Sequence, residues 1–315
     1  MFHIDLKSKI GEDICMLVRP DNHPWNYICE CGNASDLTVK EIQSTNAVFI
    51  SHTHIDHFVN FDAIIRHQIG IGRRVIICGP TGIAKQVQAK IMAYTWNLIE
   101  EGAIIYEIRE LVAKNQLIIY ELKPPLWELK PIENRSSNVL FQEQNFEVTG
   151  MLLDHKIPTL AYKFKEQDTV KIEIKKSGFK GGRWVQELKA AYESGNPAQS
   201  IIIEGQAYPA GDLFHLLHTQ IGDSVGIIMD HAANVENHKK IIAHFSHCNK
   251  VLIESFYKAA DQSMAEVNFH SYSSKSGEVM KLANVKEAIP VHFSRRYTEV
   301  DIAELLAEFE RALLG

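Results

Sequence analysis

The run His52-Thr53-His54-Ile55-Asp56-His57 sets three imidazoles and a carboxylate within six positions. It directly follows the apolar stretch Ala47-Val48-Phe49-Ile50, which reads as a buried strand. Imidazole and carboxylate are the ligands that borderline divalent metals such as zinc prefer. In an extended segment side chains alternate with period two, so His52 and His54 point the same way. Asp56 and His57 are then free to turn toward a second point. One loop can in this way feed two neighbouring metal positions.

Composition bounds the rest. Of 315 residues, 45% are hydrophobic and 23% charged, which is ample material for a core. No run approaches the roughly 18–20 apolar residues that a membrane span needs. The start, Met1-Phe2-His3-Ile4-Asp5, has no charged region followed by an apolar stretch, so no secretory leader is expected. Cys15, Cys29, Cys31, Cys78 and Cys248 are odd in number and scattered, a pattern that suits a reducing cytoplasm better than a disulfide framework. The single residue between Cys29 and Cys31 is too short a gap for a zinc hook, and both read as buried thiols. A net charge of −6 gives no support to a general nucleic-acid binder.

Strand runs and helical spacings alternate along the chain. Strands are expected over Asp13–Val18, Trp25–Glu30, Arg74–Cys78, Ser200–Ile203, Val225–Met229 and Lys250–Glu254, and helices over Phe61–Ile69, Lys275–Ala283 and Val300–Leu314. That order suits a layered α/β fold. No repeat or linker divides the chain, so residues 1–315 are expected to form one domain, with an insertion for a lid or substrate contacts near 165–215. The insertion holds the basic, glycine-rich stretch Lys175–Trp184. Three further positions directly follow apolar runs, where a strand end would project them into a shared cleft: His155, Asp230 and His292.

His-x-His-x-Asp-His after a strand resembles the signature of the metallo-β-lactamase superfamily. His155 through Tyr162, Glu254-Ser255-Phe256, His270-Ser271 and His292-Phe293-Ser294-Arg295-Arg296-Tyr297 resemble motifs of its ribonuclease Z branch. The resemblance implies a four-layer αβ/βα sandwich with a two-zinc cleft at one edge. Manganese and ferrous iron are the other metals such ligands accept. One metal would be held by His52, His54 and His155, the other by Asp56, His57 and His292, with Asp230 bridging. A hydroxide shared by the metals would attack phosphorus in line, with Asp56 holding it and relaying its proton. His270 would be the general acid, Glu254 its orienting carboxylate, and Arg295, Arg296 and His231 would contact substrate. The resemblance also implies a cytoplasmic homodimer acting on a phosphodiester, in its narrowest form the 3′ end of precursor tRNA.

Two departures bear on substrate. The N-terminal glycine-rich turn and Pro/Arg motif of the branch are missing, and the bridging aspartate sits in Met229-Asp230-His231 rather than Gly-Asp-Thr. The alternatives are a metal-dependent hydrolase of a small ester, lactone or cyclic phosphodiester, and a non-catalytic metal-binding protein. A histidine at position 54, where a glutamate would stand, argues against a di-iron redox enzyme.

Overall fold

The computed structural model describes residues 1–315, which fall into two compact units: Met1–Lys165 with Asp223–Gly315, and Glu166–Gly222. The insertion expected near 165–215 overlaps the second.

The larger unit holds two sheets. The first runs in chain order through eight strands: Phe2–Leu6, Met16–Pro20, Asn26–Cys29, Thr45–Phe49, Arg74–Pro80, Ile105–Val112, Gln116–Leu122 and Lys130–Ser136. The second runs Glu287–Val291, Lys250–Glu254, Ser224–Ile228, Pro158–Glu166, Phe146–Asp154 and Val139–Gln142. Strand alternation explains how one sequence builds both sides of a sheet. Met16 and Val18 face the core shared by the two sheets, with Phe49, Phe146, Tyr162 and Leu252. Cys15 and Leu17 face the other way, into a second core closed by the helices Phe61–Gln68 and Ile83–Met92. On the far side, Val251 and Ile253 meet the helices Val235–Phe245, Ser273–Leu282 and Glu299–Leu314. The result is helix, sheet, sheet, helix, the αβ/βα sandwich.

Register gathers the strand ends. Ser224–Ile228, Lys250–Glu254 and Glu287–Val291 are parallel neighbours, so Asp230, Glu254 and His292 emerge along one edge. In the first sheet Asn26–Cys29 runs parallel to Thr45–Phe49, and Glu30 and the histidine loop emerge together. Open α/β sheets place their ligands at such carboxyl ends. The Tyr162 hydroxyl donates to the carbonyls of Ile50 (2.6 Å) and Cys78 (3.1 Å), tying the second sheet to the base of the histidine loop.

Gly32 permits a close approach beneath that loop. A Cβ there would lie 2.4 Å from the Asp13 carbonyl carbon, 2.5 Å from the Ile14 oxygen and 2.6 Å from the Asp56 oxygen. All three are backbone atoms, which cannot swing aside. Gly32→Ala is expected to destabilise the fold at the upper end of the roughly 1–3 kcal/mol typical of overpacking. Urea denaturation checks this, and an unchanged midpoint would contradict it.

The smaller unit has a core of its own. Thr169–Ile172 pairs with Leu217–Gln220, and Ser200–Ile203 pairs with Gln206–Pro209. Trp184, Leu188, Ile201, Leu213 and Leu216 are buried together. Trp184 and Phe179, the aromatics of the basic stretch, pack on each other at 5.9 Å. All five cysteines are buried free thiols. No helix is long and apolar enough to cross a membrane.

Candidate metal centre

The structure brings nine of the expected site residues into three clusters whose ligand atoms lie within 4.8 Å of one another. These are His52, His54, His155 and Asp230; Asp56, His57 and His292; and Asp230, Glu254 and His270. Asp230 stands at the middle with its two oxygens facing different ways. Oδ2 lies 3.7 Å from His52 Nε2 and 3.5 Å from His155 Nε2. Oδ1 lies 3.3 Å from His57 Nε2 and 2.9 Å from His292 Nδ1. On the open side, Asp56 Oδ2 is 3.7 Å from His57 Nε2 and 3.5 Å from His292 Nε2. A tetrahedral ion with bonds of about 2.0–2.1 Å needs ligand atoms about 3.3 Å apart, close to these spacings.

Hydrogen-bond accounting fixes which ring nitrogens face the cleft. Glu30 is fully buried and accepts from three donors: Ser51 N at 2.9 Å, Ser51 Oγ at 3.0 Å and His57 Nδ1 at 2.9 Å. A hydroxyl carries one proton, and Ser51 spends it on Glu30. Ser51 Oγ therefore accepts from His52 Nδ1 at 3.0 Å. His155 Nδ1 donates to the Phe269 carbonyl at 2.6 Å. In all three rings Nδ1 carries the proton, and the Nε2 lone pair is turned toward Asp230. Lone pairs facing a carboxylate repel unless positive charge lies between them. Accordingly His52 Nε2, His57 Nε2, Asp230 Oδ1 and His292 Nδ1 are buried with no hydrogen-bond partner. Buried polar groups are rarely left so. The donor set fits two divalent cations.

The electrostatics agree. Burial alone would raise the Asp230 carboxyl, but the imidazoles of His292 and His57 outweigh it and hold it well below the carboxylate range. Burial opposes charge on His292, yet Asp230 and Asp56 push it up to about 9. His57 is driven well above its ordinary value against its own burial by Asp230 and Glu30. His52 is pushed far down, first by burial and then by His57. The pocket calls for positive charge beside Asp230, which bound cations would supply.

The remaining expected residues fall into place unevenly. Glu254 is fully buried, accepts from the backbone N–H groups of His231 (3.1 Å) and Ser271 (3.3 Å), and is bonded through Oε1 to His270 Nδ1. His270 stacks on Phe256, with ring centroids 4.0 Å apart and 9° between planes. Arg295 and Arg296 line a cleft of about 620 Å³ with Asp56, Phe256 and His292. Arg295 is paired there with Asp13, whereas Arg296 lies over the Tyr257 ring at 5.4 Å. His231 does not reach that cleft: it is wholly buried behind Glu254, with Nδ1 donating to the Met229 carbonyl at 2.9 Å.

Glu30 went unread in the sequence, although a carboxylate inside the apolar run Tyr27–Cys31 signals a buried charge in need of partners. Glu30→Gln leaves one acceptor oxygen for three converging donors. Metal affinity, measured by competition with a chromophoric chelator, is expected to fall about 10- to 100-fold, as for other residues that orient ligand histidines. Wild-type affinity in the variant would remove Glu30 from the site. Two residues of this centre sit at positive φ without being glycine, Glu30 at 65° and His292 at 58°. Such strain persists where surrounding structure enforces it, typically at functional sites.

The chain resembles known proteins over most of its length. No protein-family model matches it. Ribonuclease Z of Deinococcus radiodurans is 26% identical over 289 residues, covering 89% of this chain and 85% of that one. Ribonuclease Z of Methanocaldococcus jannaschii is 24% identical, covering 96% of this chain and 84% of its own. Among solved structures, the metallo-β-lactamase fold protein YhfI of Bacillus subtilis superposes with a TM-score of 0.58 at 12% identity, over 100% of this chain and 94% of that one. Human tRNase Z, short form, does so with a TM-score of 0.55 at 16% identity, over 90% and 86%. The chain has the metallo-β-lactamase fold, and over most of its length it is similar to ribonuclease Z proteins. Two clusters of its centre are each able to hold a divalent cation.

Proposed function

We propose that the chain is a two-zinc phosphodiester hydrolase that cuts RNA, in its narrowest form at the 3′ end of precursor tRNA. The observation that carries the hydrolytic reading is Asp230, with one oxygen toward His52 and His155 and the other toward His57 and His292. The RNA reading follows the ribonuclease Z relatives. When bound, two divalent ions supply a nucleophilic water at neutral pH and neutralise charge on the phosphoryl oxygens. His52, His54 and His155 would hold one ion; Asp56, His57 and His292 would hold the other; Asp230 would join them.

The chain's own groups do the rest. Asp56, 35% exposed at the mouth of the cleft, is the carboxylate placed to take the proton of the attacking water. Burial would raise its carboxyl, but the hydrogen bond from His292 and the charge of His57 hold it below its ordinary value, so it stays ionised at neutral pH. His270 spends Nδ1 on Glu254, which leaves Nε2 to protonate the leaving oxygen. The guanidinium of Arg296, with no carboxylate beside it, is the one better placed to meet phosphate. A cytoplasmic homodimer is the form the branch implies.

A second reading keeps the site and shrinks the substrate to a small ester, lactone or cyclic phosphodiester. The pairing of Arg295 with Asp13 favours it, since it removes one cation from the cleft. A single panel separates the two: bis(p-nitrophenyl) phosphate, a precursor tRNA with a 3′ trailer, and simple lactones. Metal-dependent cleavage of the diester and of the precursor tRNA is expected. Turnover of small diesters alone would discard the tRNA form, and failure on every phosphodiester would contradict the proposal.

A further inference from the structure

His270 rides on an excursion between the strand Lys250–Glu254 and the helix Ser273–Leu282. The two ends of the excursion meet: Tyr257 N donates to the Ser271 carbonyl at 3.3 Å, and Ser273 N donates to the Tyr257 carbonyl at 2.9 Å. A single carboxylate grips both ends from outside. Glu308, on the C-terminal helix Glu299–Leu314, accepts through Oε2 from Ala259 N at 2.8 Å and from the Ser273 hydroxyl. The same helix holds Lys258 through Asp301 (2.6 Å) and Glu304 (3.1 Å). Just before the helix, the Tyr297 hydroxyl accepts from Lys258 N at 2.9 Å and donates to Asp261 at 2.5 Å.

The helix is itself fixed closely against its neighbour. A Cβ on Gly277 would lie 2.4 Å from the Phe309 carbonyl oxygen, so the two helices meet at backbone contact. Inside the excursion the hold matters because Phe269 is a non-glycine residue at φ 60°. That conformation is costly and persists only where the surroundings impose it. Its carbonyl receives His155 Nδ1, and the next residue is His270, whose backbone N donates to the Ala265 carbonyl at 3.0 Å.

We propose that Glu308 is a positioning residue: by joining the two ends of the excursion it sets the place of His270 Nε2 over the cleft. The inference rests on the reading of His270 as the general acid. Glu308 touches neither substrate nor metal ligand. Its effect travels through Ala259 and Ser273 to the loop. The leaving group that most needs a proton should therefore feel its loss most. A general role in stability would slow all substrates alike.

The test compares aryl phosphodiesters with good (p-nitrophenolate) and poor (phenolate) leaving groups in the metal-loaded protein. Glu308→Ala is expected to lower kcat about tenfold for the poor leaving group and less than about twofold for the good one, with KM little changed. Glu308→Gln keeps an acceptor for Ala259 N and should restore most of the loss. Proton NMR supplies a readout that does not depend on activity: the downfield Nδ1–H signal of His270, assigned by its absence in His270→Ala, should broaden or shift in Glu308→Ala and return in Glu308→Gln. Equal losses for both leaving groups, or an unmoved His270 signal, would overturn the proposal. If His270→Ala itself slows both leaving groups equally, the general-acid reading fails and the positioning role falls with it. If His270→Ala discriminates and Glu308→Ala does not, only the positioning role fails.

Discussion

Replacing Asp230 with asparagine should cut turnover of bis(p-nitrophenyl) phosphate on the order of a thousandfold or more, and should lower bound metal below two ions per chain. Asparagine matches aspartate in size, so the packing among His52, His57, His155 and His292 is kept. The loss is one of charge. Asp230 is the carboxylate within 3.7 Å of all four of these imidazoles, and its oxygens divide between the two clusters. A neutral amide offers a single weak acceptor oxygen and turns an N–H₂ group toward one of the two positions, where a cation should sit. Metal-assisted stabilisation of a displacement is worth several kcal/mol, and each ~1.4 kcal/mol is tenfold in rate. The fold itself should survive, because the Nδ1 bonds that hold the rings of His52, His57 and His155 go to Ser51, Glu30 and the Phe269 carbonyl and not to Asp230. An unchanged circular dichroism spectrum with activity lost is the expected result. Activity within tenfold of wild type would mean that Asp230 does not join two metals.

Asp56→Ala should be nearly as damaging and should differ in kind. Asp56 is the more exposed of the two ligand carboxylates, at the start of the short helix Ile55–Phe58, and removing it leaves no buried charge unpaired. His57, His292 and Asp230 remain to hold one ion weakly, so metal content should fall less than in Asp230→Asn. The missing proton acceptor should lower kcat by about 10²- to 10⁴-fold, the usual worth of positioned acid–base catalysis, with KM moved far less. Unchanged turnover would remove Asp56 from the mechanism.

How much of this was legible depended on whether a residue's partners lie near it in the chain. The His52–His57 run could be read because ligand chemistry is packed into one loop. His155, Asp230 and His292 could be read because each directly follows an apolar run, and parallel pairing then carries those ends to one edge. Glu30 could not be paired with anything by inspection. Its partners Ser51 and His57 are brought to it only by the register of Asn26–Cys29 on Thr45–Phe49. Glu308 was still less visible, since its meaning lies in two loop ends about 35 and 49 positions earlier.

The fold followed the same rule. Ser200–Ile203 and Lys250–Glu254 coincide with strands of the structure because their apolar runs are short and bounded by turns. Lys130–Ser136 went unseen: all seven residues are exposed on an edge strand, so no alternation marks them. The basic stretch Lys175–Trp184 leaves its cations Lys175, Lys176, Lys180 and Arg183 exposed, while Trp184 is buried in the small unit's core.

The central claim is that the buried lone pairs around Asp230 exist to hold two cations. Elemental analysis of the protein purified from zinc-replete medium tests it most directly. About two transition-metal ions per chain are expected, falling below two in Asp230→Asn. A wild-type protein that is folded yet carries no metal, and takes none up when zinc is added, would contradict it.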